Sequence, residues 1–371
     1  MTPSSNVRIH VEKAGQLAAG VMRAGGCTDA EASITADHLI GANLAGHDSH
    51  GLVRIPRYHS WMQDGTLNGN TQLRTVLDAG ALLQFDGERG IGQFLAQEAC
   101  ARGIERAKSL GVAMVALRRA GHIGRLGHYT ELAADAGFVS IQFCNVTGSA
   151  LVAPFGSAQR LMSTNPVAVG IPNETGDPFI LDFATSFVAE GKVLVAASGG
   201  KALPYGALID GEGNLTDDPS ALYGETTTSA VPNATAGPGA LRTIGEHKGS
   251  GLALACDLLA GILTGNRSNA ASDTFGNGWL AIFIDPAKLD DGATFGGDVA
   301  QYVETVRGLK TAVGVDKVRI PGDVERQNRA DRLADGLPIT EALLTSLLTT
   351  ANECGMGLTR DDLVIGAAVK S

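Results

Sequence analysis

The sequence predicts an α/β protein in which helical ends flank a mixed central α/β domain. Three observations point there. Apolar residues recur at helical spacing through the first 45 residues and again from about residue 299 onward. Short apolar runs bounded by glycines concentrate between about 112 and 284. Hydrophobic residues make up 44% of 371 residues, enough for a sizeable core and, at about 150 residues per domain, for two domains. Residues 1–77 with 315–371 are expected to form the helical domain, and 78–314 the central α/β domain.

Along the chain, Val11, Ala14, Leu17, Ala18, Val21 and Met22 share one helical face, which Gly25-Gly26 ends. Thr28 followed by Glu31 is a capping box that opens a second helix to about Leu44. Gly46 then breaks into a polar, histidine-containing segment. Ile91 to Leu110 reads as a helix, Val112–Leu117 as a strand, Tyr129–Ala136 as a helix and Phe138–Val146 as a strand. Further strands are expected at Val167–Ile171, Phe179–Phe183 and Ala207–Ile209, and Gly213–Gly239 as a long surface excursion. Leu252–Leu263 reads as an apolar helix and Leu280–Ile284 as a buried strand. Helices at Val299–Leu309, Val324–Leu333 and Thr340–Cys354 close the chain. No repeat of 20–50 residues is visible.

The 49 glycines, about 13% against a usual ~7%, show no G-X-Y period, so they imply turns and backbone that approaches a ligand closely. The net charge of −10, with no run of basic residues longer than two and 5% aromatics, argues against a nucleic-acid groove. Five cysteines at least 44 residues apart suit reduced thiols, without a C-x-x-C pair for metal. No leader-like apolar region follows Met1, and no run approaches the ~20 apolar residues of a membrane span. A soluble cytoplasmic protein is expected.

Four segments carry candidate chemistry. Gly46-His47-Asp48-Ser49-His50-Gly51, with Arg54 and Arg57, places two imidazoles, a carboxylate and a hydroxyl where a helix ends. An imidazole of pKa ~6.5 suits proton transfer near neutrality, and Arg54 offers a fork for a carboxylate. The segment thus suits a 2-oxo or 2-hydroxy acid and a proton at its C2 oxygen; a solvated helix end is the alternative. His47 and His50 as metal ligands lack an acidic third ligand at a recognisable spacing. Gly121-His122-Ile123-Gly124-Arg125-Leu126-Gly127-His128 lies between a strand and a helix, where glycines let backbone N–H groups meet an anion; an ordinary connection is equally compatible. The dinucleotide fingerprint G-x-G-x-x-G occurs nowhere. Glu246-His247-Lys248-Gly249 puts a lysine near a helix start, and Leu181-Asp182-Phe183-Ala184-Thr185-Ser186 ends a strand with an acid and hydroxyls. For these two, solvation and helix capping, respectively, are the commoner explanations. Cys144 and Cys256 read as core.

In this order, GHDSHGLVRIPRY (46–58), GHIGRLGHY (121–129), STNPVAVGIP (163–172), LDFATS (181–186), EHKGSGLAL (246–254) and RIPGDVE (319–325) resemble the malate/L-lactate dehydrogenase family of the non-Rossmann type. That family includes malate, ureidoglycolate and sulfolactate dehydrogenases and reductases of cyclic imine carboxylates. Within it, ADHLIGANLAGHDSHG (36–51) and GHIGRLGHY look most similar to the hydroxycarboxylate dehydrogenase B branch. The resemblance implies a mixed sheet unlike Rossmann, a homodimer and a nicotinamide cofactor, NAD(H) favoured and NADP(H) the alternative. It also implies a small 2-oxo or 2-hydroxy acid substrate of lactate, malate or aryl-lactate type. By motif, His50 is the proton donor with Ser49 beside it, His122 is the competing acid/base, and Arg54 grips the substrate carboxylate. The cofactor contacts carried over are His50, Gly124, Arg125, Leu126, Ile180, Leu181, Asp182, Phe183, Ala184, His247, Lys248, Gly322, Asp323, Val324 and Glu325. Asp323 or Glu325 beside the adenosine ribose would favour NAD(H) by repelling an added phosphate. The chain departs from the family in carrying Ser250 where an aromatic is common and in lacking a Pro-Leu-Gly-Gly run before Glu246. The alternatives are a cyclic imine carboxylate reductase and, further off, a metal-dependent hydrolase built on His47, His50 and His122.

Overall fold

The computed structural model describes residues 6–197, 201–224, 233–272, 274–290 and 293–366. Strand β1 (Asn6–Ile9) leads into helix α1 (Val11–Ala24), which buries Ala14, Leu17, Ala18, Val21 and Met22. The Thr28 hydroxyl accepts the Glu31 N–H at 3.2 Å, and Glu31 accepts the Thr28 N–H at 2.8 Å, opening α2 (Asp29–Leu44). Glu31 is buried and also accepts the N–H groups of Asn70 and Thr71, so one cap ties the helix to a distant loop. Two short 3-10 turns follow, Asp48–His50 and Leu52–Arg54, and then α3 (Ile55–Gln63).

The central part runs β2 (Arg74–Ala79), β3 (Leu82–Asp86), α4 (Gly92–Leu110), β4 (Val112–Ala120), α5 (Gly127–Asp135), β5 (Val139–Thr147), β6 (Val167–Ile171), β7 (Phe179–Phe183) and α6 (Glu190–Ala197). The short pieces β8 (Leu208–Ile209), β9 (Leu215–Thr216), α7 (Ser220–Tyr223) and β10 (Ala240–Leu241) precede α8 (His247–Cys256) and β11 (Gly276–Ile284). The chain closes with α9 (Phe295–Arg307), α10 (Asp323–Asp335), β12 (Leu337–Thr340), α11 (Glu341–Glu353) and α12 (Arg360–Leu363).

Seven strands form one sheet in the order β2-β3-β4-β11-β5-β6-β7. Only β3 and β4 pair in parallel; the other neighbours are antiparallel. The sheet is therefore mixed and not doubly wound, as the family resemblance implied and in keeping with the missing fingerprint. Strand β11 enters its centre from far along the chain. It starts four residues before the expected Leu280, because Gly278 lacks the Cβ that would strike the Ala260 carbonyl. β1 pairs with β12, which closes the two chain ends on each other. One apolar cluster joins these ends through Leu17, Leu39, Ile55, Leu344 and Leu347; a second lies on the sheet around Phe85, Val115, Tyr129, Trp279 and Phe283.

Two expectations need correction. The Gly213–Gly239 stretch is not only a surface excursion: β9 and α7 lie in it, and Leu222 and Tyr223 are buried against Leu208 and Leu241. Its residues 225–232 lie outside the described residues. The small, polar composition hid the few side chains by which this stretch joins a third apolar cluster. The helix expected from Leu252 begins at His247, so His247 and Lys248 belong to its first turn. It continues as a π-helical turn over Asp257–Leu263, and Leu254, Leu258 and Ile262 are exposed.

Candidate functional site

The histidine segment is fixed from both ends. Gly46 turns with φ of 89°, packed against the Asn328 side chain. Gly51 packs against Asn43, whose amide oxygen accepts the Leu52 N–H at 2.8 Å and whose NH2 donates to Asp48 at 2.6 Å. Arg332 grips the same Asp48 carboxylate at 2.6 and 3.0 Å. The 3-10 turn between these anchors holds the Ser49 hydroxyl 3.0 Å from His50 Nδ1. Arg54 donates its Nε–H to the Ser49 carbonyl at 2.6 Å. Its two Nη groups have no protein partner among the described residues, which leaves the edge that binds a carboxylate open.

His122 follows the end of β4, and its ring stacks on that of His50 at 5.6 Å with 20° between planes. Gln93 donates to the Tyr58 hydroxyl at 2.6 Å, and Tyr58 in turn donates to His122 Nδ1 at 2.6 Å. With Gln93 donating to its oxygen, the buried Tyr58 hydroxyl has His122 Nδ1 as its acceptor among the described residues, which puts the His122 proton on Nε2, so Nε2–H is the group left to face a ligand. Burial first, then the charges of Arg54 and His50, hold His122 well below the ordinary histidine value. Burial and then Arg54 push His50 down to about 3. The cleft therefore holds two neutral imidazoles beside one guanidinium.

Most of the expected cofactor residues form a second group next to this one. Gly124, with φ of 76°, lies against the His38 ring, and the Arg125 N–H donates to His38 Nε2 at 2.8 Å. The Arg125 side chain is buried and paired with Glu131, while its Nε and Nη1 have no protein partner. Leu126 is buried behind it. Asp182 accepts the Gly127 N–H at 2.7 Å; a Cβ on residue 127 would lie 2.5 Å from Arg125 Nη1. Burial pushes the Asp182 carboxyl up, against the pull of His47, Arg125 and that N–H. The Ile180 N–H donates to the Pro321 carbonyl at 3.1 Å, which sets the strand end from Ile180 through Leu181 and Phe183 to Ala184 beside the turn at Gly322. In that turn Asp323 pairs with Arg307 and Arg326 at 2.8 and 2.7 Å, Val324 is exposed, and Glu325 reaches His47 at 3.2 Å.

Residues 47, 124–127, 180–184 and 322–325 are thus brought together around the buried arginine. His247 and Lys248 are exposed in the first turn of α8, near Phe155, and no contact among the described residues joins them to His50 or His122. The segment suits a dinucleotide in one respect that composition did not show: two buried donor nitrogens of Arg125 lack an acceptor, beside a glycine that leaves room for one. Glu325 and Asp182 add acceptors for hydroxyl or amide donors. His47 is turned to Glu325 and His122 to Tyr58, and no group of three metal-ligating side chains is placed to hold an ion among the described residues. Gln93 and Tyr58 were missed as site residues. Tyr58 closed a quoted motif, whereas nothing in the sequence distinguished Gln93.

A profile of malate/L-lactate dehydrogenases matches residues 9–348. The chain is 38% identical to hydroxycarboxylate dehydrogenase B of Escherichia coli (strain K12) over 344 residues, 91% of each protein. Its fold superposes on sulfolactate dehydrogenase from Methanocaldococcus jannaschii with a TM-score of 0.82, at 30% identity, covering 95% of this chain and 98% of that one. It also superposes on delta1-piperideine-2-carboxylate reductase from Pseudomonas syringae pvar. tomato with a TM-score of 0.79, at 31% identity, covering 92% and 99%. The mixed sheet, the paired chain ends and the profile match over nearly the whole length agree: the chain belongs to the malate/L-lactate dehydrogenase family.

Proposed function

We propose that the protein transfers a hydride between a nicotinamide cofactor and C2 of a 2-oxo or 2-hydroxy carboxylic acid of lactate, malate or aryl-lactate type. The observation that carries this reading is the pair of neutral imidazoles stacked 5.6 Å apart beside the open edge of Arg54. Arg54 binds the substrate carboxylate. Burial is the larger cause that depresses both histidines and the Arg54 charge the next; the bound anion offsets that charge, so substrate binding moves both pKa values upward. His50, protonated in this state and oriented by Ser49, gives its proton to the C2 oxygen in reduction and takes it back in oxidation. His122 presents Nε2–H to the same oxygen, held in that tautomer by Tyr58 and Gln93.

The bound nicotinamide supplies the hydride chemistry. Arg125, Asp182, Glu325 and the Gly124–Leu126, Ile180–Ala184 and Gly322–Glu325 backbones would hold it, with His247 and Lys248 as further contacts. NAD(H) is favoured over NADP(H) because Glu325 and Asp182 present carboxylates in this group. Asp323 adds nothing to that preference, since Arg307 and Arg326 already neutralise it. A homodimer is part of the reading: the exposed stripe Leu254, Leu258 and Ile262 supports self-association, and sedimentation velocity tests it. So is a cytoplasmic location, which fits five unpaired cysteines.

The test is oxidation of NADH and of NADPH against pyruvate, oxaloacetate, phenylpyruvate, hydroxyphenylpyruvate and a cyclic imine carboxylate. Turnover of a 2-oxo acid supports the reading; binding of either nucleotide without turnover of any acid overturns the substrate class. Likeness to the piperideine carboxylate reductase favours the imine as the second reading, and turnover of the imine alone would establish it.

A further inference from the structure

The substrate end of the cleft is completed by α6 and α7, which the reaction described above does not use. Gly191 sits directly on the histidine turn: a Cβ there would lie 3.0 Å from Cβ of Ser49. The residue before it, Glu190, is the first of α6 and accepts a hydrogen bond from the hydroxyl of Tyr223, the last residue of α7. Tyr223 is buried and kept protonated by burial and by Glu190 itself, so it is a fixed donor. Glu190 forms no ion pair among the described residues; Arg54 and Arg57 stand within electrostatic range of the Glu190–Tyr223 pair, and Arg57 also lies 5.7 Å over the Trp61 ring. The facing charges are therefore two guanidiniums and one carboxylate.

We propose that Glu190, oriented by Tyr223, selects monoanionic substrates: 2-oxo or 2-hydroxy acids with one carboxylate and an uncharged side chain. The inference rests on the hydride-transfer reading of the same site. One substrate carboxylate on Arg54 closes the local charge to zero. A second carboxylate or a sulfonate at C3 would lie beside Glu190 and leave an uncompensated negative charge in a half-buried cleft. Repulsion of that kind acts on binding of the wrong substrate more than on the chemical step.

The experiment compares kcat/KM for pyruvate and 2-oxobutyrate with that for oxaloacetate, in the wild type, Glu190→Gln and Tyr223→Phe. The wild type should prefer the monoanions by about tenfold or more, as two like charges at low effective dielectric require. Glu190→Gln should close that gap by about tenfold, through a lower KM for oxaloacetate, since it removes the charge and keeps the shape. Tyr223→Phe keeps the charge and frees the carboxylate, so it should move the ratio less. A wild type that prefers oxaloacetate overturns the assignment, and so does a Glu190→Gln variant that slows both substrate classes in equal proportion. Wild-type failure on every 2-oxo acid with both nucleotides overturns the hydride-transfer reading, and this assignment with it.

Discussion

His50 and His122 face each other in one cleft, yet the protein holds them by different means. His50 stands on a 3-10 turn whose anchors are mostly local, Asn43, Asp48 and Ser49. His122 is fixed by a hydrogen-bond chain that reaches Tyr58 on α3 and Gln93 on α4. The local device leaves His50 Nε2 free to gain and lose a proton, with Ser49 able to accept or donate at Nδ1. The distant one locks a single tautomer. Two identical side chains are thereby suited to two roles, proton transfer and fixed donation.

The largest effect should come from His50→Ala, which should lower kcat by roughly 10²–10⁴ with kcat/KM falling alike, since the lost interaction belongs to the transition state. A variant with unchanged kcat would move the proton donor to His122, and His122→Ala measured beside it decides between them. Arg54→Ala should cost about 10–100-fold in kcat/KM for carboxylate substrates, mainly through KM, as loss of a charge-assisted pair does. An unaltered KM would remove Arg54 from the site. The same variant should raise the pKa of both imidazoles in the free enzyme, because its charge lowers both; histidine titration by NMR reads this shift.

Tyr58→Phe should cost about tenfold in kcat, since the ring stays packed while His122 loses its tautomer lock. Equal losses in Tyr58→Phe and in Tyr58→Phe combined with His122→Ala, relative to their parents, would show that Tyr58 does not act through His122. The smallest effect is on stability. His38 is 2% exposed, and its pKa is held well below the ordinary value by burial, then by His128 and Arg125. A folded-state pKa below the unfolded one means that the unfolded chain binds the extra proton first. Stability is then complete above about pH 6.5 and falls by about 1.4 kcal/mol per pH unit below it, for this residue alone. Thermal unfolding between pH 7 and 5 measures the slope, and a flat profile would contradict a neutral buried His38.

Much of this fold was legible from one chain. Period and capping placed α1, α2 and α4 within a residue or two, since Thr28 with Glu31 and the apolar spacing act over one or two turns. β6 and β7 were read at their observed bounds. The weak readings share a cause. β2 has no buried residue to announce it, and β1 gains its partner from β12, at the other end of the chain. Tyr223 was hidden in a stretch whose apolar residues are too few to show a period. At the site, the pattern of histidine, serine and arginine between 47 and 54 pointed to acid chemistry on a carboxylate, because those residue types are close in sequence and therefore in space.

By itself, then, the sequence determined the fold class, the family resemblance and the residue types available to the chemistry, all of which depend on local pattern and composition. The tertiary structure decided that β11 enters the centre of the sheet, that Gln93 and Tyr58 fix one tautomer of His122, that Arg307 and Arg326 neutralise Asp323, that Gly191 packs on Ser49, and that Tyr223 holds Glu190. Each of these joins residues between about thirty and about 170 positions apart, apart from the Arg307 and Arg326 pairs with Asp323. Even those take their meaning from the neighbouring segments they exclude. Periodicity carries no information about such pairings, because they are selected by whichever distant surface satisfies a buried hydrogen bond or charge.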